Sequence, residues 1–141
     1  MENNIENGSR NKAHELAMQI MYDFLIQQEI DETINVEKTI SDISQKPYEE
    51  CDLFIKEVLI KALKNQNEII ENISSNLNNW KFNRLNTCIQ AILILAYSNY
   101  YFCNNKEKAV IINVAVKLAK KYGEGNDYKF VNGILDKTLI W

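Results

Sequence analysis

One proline and four glycines punctuate 141 residues, and that scarcity of breakers constrains the fold more than any other feature. Apolar residues recur at three- and four-residue steps, with little alternation of period two, so the chain reads as a succession of helices. The first runs from about Ser9, a suitable N-cap, into the twenties. It places Ala13, Leu16, Ala17, Ile20, Met21 and Phe24 on one face. A shorter helix follows Asp31, passes through Val36 and Ile40, and ends before Pro47. Leu53, Ile55, Leu59 and Leu63 mark the next pattern, then Ile69, Ile73 and Leu77. Trp80 to Asn83 reads as a joint. Beyond it, Ile89, Ile92, Leu93, Ala96 and Tyr100 mark another helix, closed by a turn at Asn104-Asn105. Ile112, Ala115, Val116, Ala119 and Tyr122 mark the next, which Gly123 to Asn126 stops. Asp127 is placed to cap the last helix, whose inner face is Val131, Ile134, Leu135 and Leu139. The expected fold is all-α, a single-domain helical bundle of about seven helices. Two helical subdomains, roughly 9–79 and 80–141, would meet near Trp80, and residues 1–8 would form a flexible N-terminus.

Hydrophobic residues make up 46% of the chain, enough for a core without disulfides or metals. The formal net charge of −3 hides an asymmetry. Before Trp80, seven Lys/Arg face fifteen Asp/Glu, a balance of −8; from Trp80 onward nine face four, a balance of +5. A basic back half suits a polyanion surface, although solvated helix faces also account for it. Cys51, Cys88 and Cys103 are odd in number, lie far apart and include no CxxC, which fits buried thiols in a reducing cytoplasm. The polar, acidic N-terminus has no apolar h-region. The longest apolar stretch, around Ile89 to Phe102, is interrupted by Gln90, Ser98 and Asn99, too short and polar to span a bilayer. His14 is the only histidine, so no His-rich metal site exists and any Ser-His-Asp or Cys-His arrangement would hang on that residue. Gly123-Glu124-Gly125 lacks the remainder of a dinucleotide fingerprint. The chain is expected to be neither an enzyme nor a cofactor binder.

Three constellations bear on nucleic acid. In Ser9-Arg10-Asn11-Lys12-Ala13-His14-Glu15, Arg10 and His14 lie along one edge of the apolar stripe and Lys12 along the other. Cations at a helix N-terminus oppose the macrodipole, and a positive segment there serves phosphate contacts; an ordinary exposed helix start is the plainer explanation. Tyr22 shares a side with Asn11, Glu15 and Met18, so it either packs under another element or offers its ring to a ligand. In Lys129-Phe130-Val131-Asn132-Gly133-Ile134-Leu135, Phe130 stands at the edge of the apolar stripe beside Lys129, where it could stack a base or complete the core. Gly133 in mid-helix suggests the close approach of another helix.

The blocks Ile112-Asn113-x-Ala115-Val116-x-Leu118-Ala119-Lys120-x-Tyr122-Gly123 and Lys129-Phe130-Val131-Asn132-Gly133-Ile134-Leu135-Asp136 resemble, in order and spacing, the C-terminal signature of the bacterial NusB family. Leu85 through Tyr100 resembles the helix before it. Ser9-Arg10, Ala13, Glu15, Ala17, Gln19 and Tyr22 are similar to the family's arginine-rich opening helix. The resemblance implies an all-helical RNA-binding transcription antitermination factor. It would bind boxA-type single-stranded RNA together with ribosomal protein NusE, join the RNA polymerase antitermination complex, and suppress termination, notably on ribosomal RNA operons. It would do so without a cofactor, in the cytoplasm, with no membrane attachment, and with a homodimer as one known state. It further implies RNA-binding roles for Arg10, Lys12, His14, Tyr22, Lys129 and Phe130. The chain departs from the family where His14 replaces arginine, Val114 follows Asn113 in place of glutamate, Gln90 and Ile94 stand for frequent arginines, Asn99 for glutamate, and Asn126 for an acidic residue. Two other readings stay open. One is a protein–protein adaptor of the transcription complex with little intrinsic RNA binding. The other, the RNA-binding part of a ribosomal RNA methyltransferase, fits poorly because the chain carries no Rossmann pattern.

Overall fold

The computed structural model describes residues 2–30, 33–78 and 81–140, with side chains from Arg10 onward. Among the described residues there are seven α-helices and no strand: α1 (Glu2–Glu29), α2 (Val36–Ser44), α3 (Leu53–Lys64), α4 (Gln66–Ser74), α5 (Thr87–Tyr97), α6 (Lys108–Tyr122) and α7 (Asp127–Thr138). The expected all-helical bundle of about seven helices is thus realised among the described residues.

The organising helix is α5. Ala91 through Tyr100 is buried without interruption, because α1, α3, α4, α6 and α7 all pack around it. A helix apolar on every side belongs in the centre of a bundle. Among the described residues no helix is long and apolar enough to cross a membrane. The long helix α1 lies along α5 and buries Ala17, Met18, Ile20, Met21, Phe24 and Leu25. A single apolar cluster runs from Ala17 to Leu139.

Local chemistry sets the boundaries. The Asn35 carboxamide oxygen accepts from Lys38 N–H at the start of α2. Asp52 Oδ1 accepts from Phe54 and Ile55 N–H at the start of α3, and Asn86 Oδ1 from Cys88 N–H at the start of α5. Gln45, at φ 59°, turns the chain out of α2 just ahead of Pro47. Asn104, at φ 55°, takes the same left-handed conformation in the expected turn, a geometry asparagine tolerates better than most residues.

α1 begins at Glu2, so Ser9 is an internal helical position and not the N-cap, and residues 2–8 are helical. Asp127 does not cap α7 either. Asn126 holds the cap position, and Asp127 Oδ2 reaches back to accept Glu124 N–H, bracing the loop. The joint expected at Trp80 falls outside the described residues; just after it, Phe82–Arg84 forms a 3-10 turn. Gly133 does not mark a close helix crossing, because a Cβ there would meet nothing within 4 Å. Gly133→Ala is therefore expected to raise stability by about 1 kcal/mol in urea denaturation; a loss of stability would reveal a neighbour the structure lacks. Gly123 is the tightly placed glycine, since a Cβ would lie 2.6 Å from the Ala119 carbonyl oxygen.

The helix built on α5 does not stop cleanly. Ser98–Phe102 forms a π-helical turn, which periodicity alone could not reveal. It ties three segments together. Ser98 Oγ donates to Val58 O (2.9 Å), Lys61 Nζ donates to Phe102 O (2.6 Å), and Tyr101 Oη donates to Thr138 O (2.8 Å).

Candidate nucleic-acid interface

The stretch of α1 from Arg10 to His14 lies over the start of α3 and the π-turn. Arg10 is exposed and His14 half-buried, and both border a hollow of about 370 Å³ with Asp52, Phe54, Glu57 and Asn99. The His14 and Phe54 rings meet edge to face, with centroids 4.9 Å apart. Lys12 is exposed on the opposite edge, beside a second hollow that it shares with Lys46. The separation of Arg10 and His14 from Lys12, expected from helical spacing, is therefore real.

Burial, and secondarily the Arg10 charge, lowers the His14 pKa from its ordinary 6.5, against the opposing pull of Asp52. His14 is neutral at pH 7 and offers hydrogen bonds in place of charge. Because its folded pKa lies below the unfolded one, its contribution to stability is complete above the unfolded value and is lost as pH falls through the folded value. Urea unfolding at about pH 7.5 and about pH 5.5 is expected to show the protein weaker at the lower pH, and His14→Gln to shrink that difference. An unchanged difference would assign the acid sensitivity elsewhere. Glu15 does not confuse the comparison. Hydrogen bonds from Lys121 and then Tyr122 hold its carboxyl below the ordinary range, so it stays ionised at both values.

Glu15 carries the second feature. It accepts from Lys121 Nζ (2.6 Å) and from Tyr122 Oη, while Gln19 Nε2 donates to the same tyrosine oxygen (3.0 Å). This cluster joins α1 to the end of α6. No motif in the sequence points to it, because its partners lie 106 and 107 residues apart. Tyr22 follows on the same side of α1 and is 38% exposed.

On α7, Lys129 is exposed and Phe130 is half-buried against the core. They are adjacent in sequence but about 100° apart around the helix. Lys129 and Lys120 flank the Tyr128 ring, their Nζ atoms 5.9 Å and 5.0 Å from its centroid. Of the sequence-derived residues, the structure brings Arg10 and His14 together beside one hollow, leaves Lys12 on the other edge of α1, and sets Lys129 with its neighbours on α6–α7. The Glu15–Lys121–Tyr122 seam joins α1 to α6. Among the described residues Arg10, Lys12, Lys120 and Lys129 form no ion pair, and no group of three His, Cys, Asp or Glu is placed to hold a metal.

The description "NusB family" fits a sequence model matching residues 11–139. Transcription antitermination protein NusB of Macrococcus caseolyticus is 36% identical over 131 residues, 93% of this chain and 96% of that protein. Among solved structures, T. maritima NusB superposes with a TM-score of 0.77 at 26% identity, over 92% of this chain and 89% of the other. A chain from a crystal structure of antitermination factors NusB and NusE in complex with dsRNA also gives a TM-score of 0.77. It does so at 21% identity, over 92% and 95% of the two chains, a likeness of fold.

Proposed function

We propose that this chain, which belongs to the NusB family, is a non-catalytic, cytoplasmic RNA-binding antitermination factor. It binds boxA-type single-stranded RNA jointly with ribosomal protein NusE and carries both into the RNA polymerase antitermination complex. One observation of this molecule supports the RNA-binding part above all: Arg10, Lys12 and Lys129 are exposed and free of ion pairs among the described residues. The exposed ring of Tyr22 lies on the same helix as the first two. Unpaired cations supply phosphate contacts, and an exposed ring supplies a stacking or partner surface. In this reading His14 donates or accepts a hydrogen bond, and Phe130 presents the edge the core leaves uncovered.

So few cations imply modest affinity for RNA alone. A labelled boxA-type RNA, titrated by fluorescence anisotropy, is expected to bind weakly to the isolated chain and much more tightly once NusE is present. The neutral His14 favours one second reading, the adaptor with little intrinsic RNA binding. RNA that fails to bind in either titration, while NusE still associates, would establish the adaptor and overturn the RNA reading.

A further inference from the structure

One polar side chain in the Arg10 hollow is left unused by the fold. Asn99, in the π-turn, is only 4% exposed. Its backbone carbonyl accepts from Asn105 N–H (3.3 Å), but among the described residues its carboxamide makes no hydrogen bond. The buried and unpaired side-chain polar atom among the described residues is Ser44 Oγ, so the Asn99 amide is not sealed in the core but opens onto the hollow. Here the side chain lines the hollow, where a ligand could satisfy it.

The walls add matching chemistry. Asp52 spends Oδ1 on capping α3, and Glu57 Oε1 is held by Lys61 at 2.9 Å; each keeps a second oxygen as an acceptor. The paired rings of Phe54 and His14 give an aromatic wall. Those two residues and Asn99 also border an apolar crevice leading toward Val58 and Leu95. Among the described residues Arg10 contributes the one cation of the hollow. Mixed donors and acceptors around an apolar, aromatic interior, in about 370 Å³, are features of a small heteroaromatic site.

We infer that this hollow receives one unstacked nucleobase that carries an exocyclic amino group, an inference that rests on the RNA-binding reading above. The Asn99 carboxamide presents a donor and an acceptor side by side, as base-edge recognition requires. The spare oxygens of Asp52 and Glu57 accept from the amino group of cytosine or adenine. Uracil has no exocyclic amino group; its single donor, the ring N3–H, is flanked by two carbonyl oxygens that meet the carboxylates unfavourably, so it is disfavoured. Arg10, exposed at the edge of the hollow, takes the phosphate of the same nucleotide.

The test needs no variant at first. Cytidine, adenosine and uridine monophosphates are titrated into the full-length protein, following the side-chain amide resonance of Asn99. That resonance is expected to move with the first two and not with the third. Single-stranded boxA-type RNA is expected to bind about tenfold more tightly than a version in which its cytidines and adenosines are replaced by uridine. Asn99→Leu is expected to erase that preference while leaving the salt dependence intact. RNA binding without base preference, with Asn99 silent, would overturn the base site and leave the RNA-binding reading standing. Arginine moving the resonance in place of nucleotides would also overturn it. No RNA binding, with or without NusE, would overturn both.

Discussion

Phe24→Ala is expected to lower the unfolding free energy by about 4 kcal/mol, whereas Tyr22→Ala, two positions earlier on the same helix, is expected to cost less than about 1 kcal/mol. Phe24 is fully buried where α1 lies against α5. Its removal loses the transfer free energy of the ring and leaves a cavity that close-packed helices fill only in part. Domains of this kind have a total stability of about 5–15 kcal/mol, so the loss is a large share of it. Tyr22 is 38% exposed and ends no hydrogen bond among the described residues. Its replacement should leave the urea midpoint nearly unchanged and weaken binding of RNA or NusE. Equal destabilisation by the two changes would mean that Tyr22 belongs to the core and has no role at the surface.

The second large effect concerns charge. Arg10→Ala combined with Lys129→Ala should flatten the dependence of log affinity for single-stranded RNA on log salt by about 1.4, from two phosphate contacts at about 0.7 each. The loss should be similar for every RNA sequence, because phosphate contacts carry no base information. Both residues are exposed and outside the ion pairs, so the thermal midpoint should not move. An unchanged salt slope would remove these two side chains from the RNA surface. A uniform loss of NusE affinity would place them at the protein interface.

How much of this was legible in the sequence follows from the range of each interaction. Helix positions and inner faces were readable because burial imposes a local period: Ile20, Phe24, Leu59, Ile92 and Leu135 all sit where spacing places them. The caps at Ser9 and Asp127 misled because capping depends on backbone angles that residue type only favours. A long α1 absorbs Ser9, and Asp127 serves the preceding loop. Gly133 misled because a glycine can mean close approach or nothing, and only the space around it decides. The π-turn at Ser98–Phe102, the Glu15–Lys121–Tyr122 cluster and the unused Asn99 amide were out of reach. Each is a tertiary fact, made by residues far apart in the chain or by hydrogen-bond partners that are missing. For the candidate site, helical spacing keeps Arg10, Lys12 and Tyr22 off the inner face of α1, as their exposure bears out, but the burial of His14 and the hollow beside it emerge only when α1 meets α3.

The most direct test is transcription through a terminator placed behind a boxA-bearing ribosomal RNA leader, reconstituted with RNA polymerase, NusE and the remaining components of the antitermination complex. Adding this chain is expected to raise read-through when boxA and NusE are both present, and to do nothing when either is missing. Read-through that ignores boxA and NusE, or that never responds to the chain, would contradict the account.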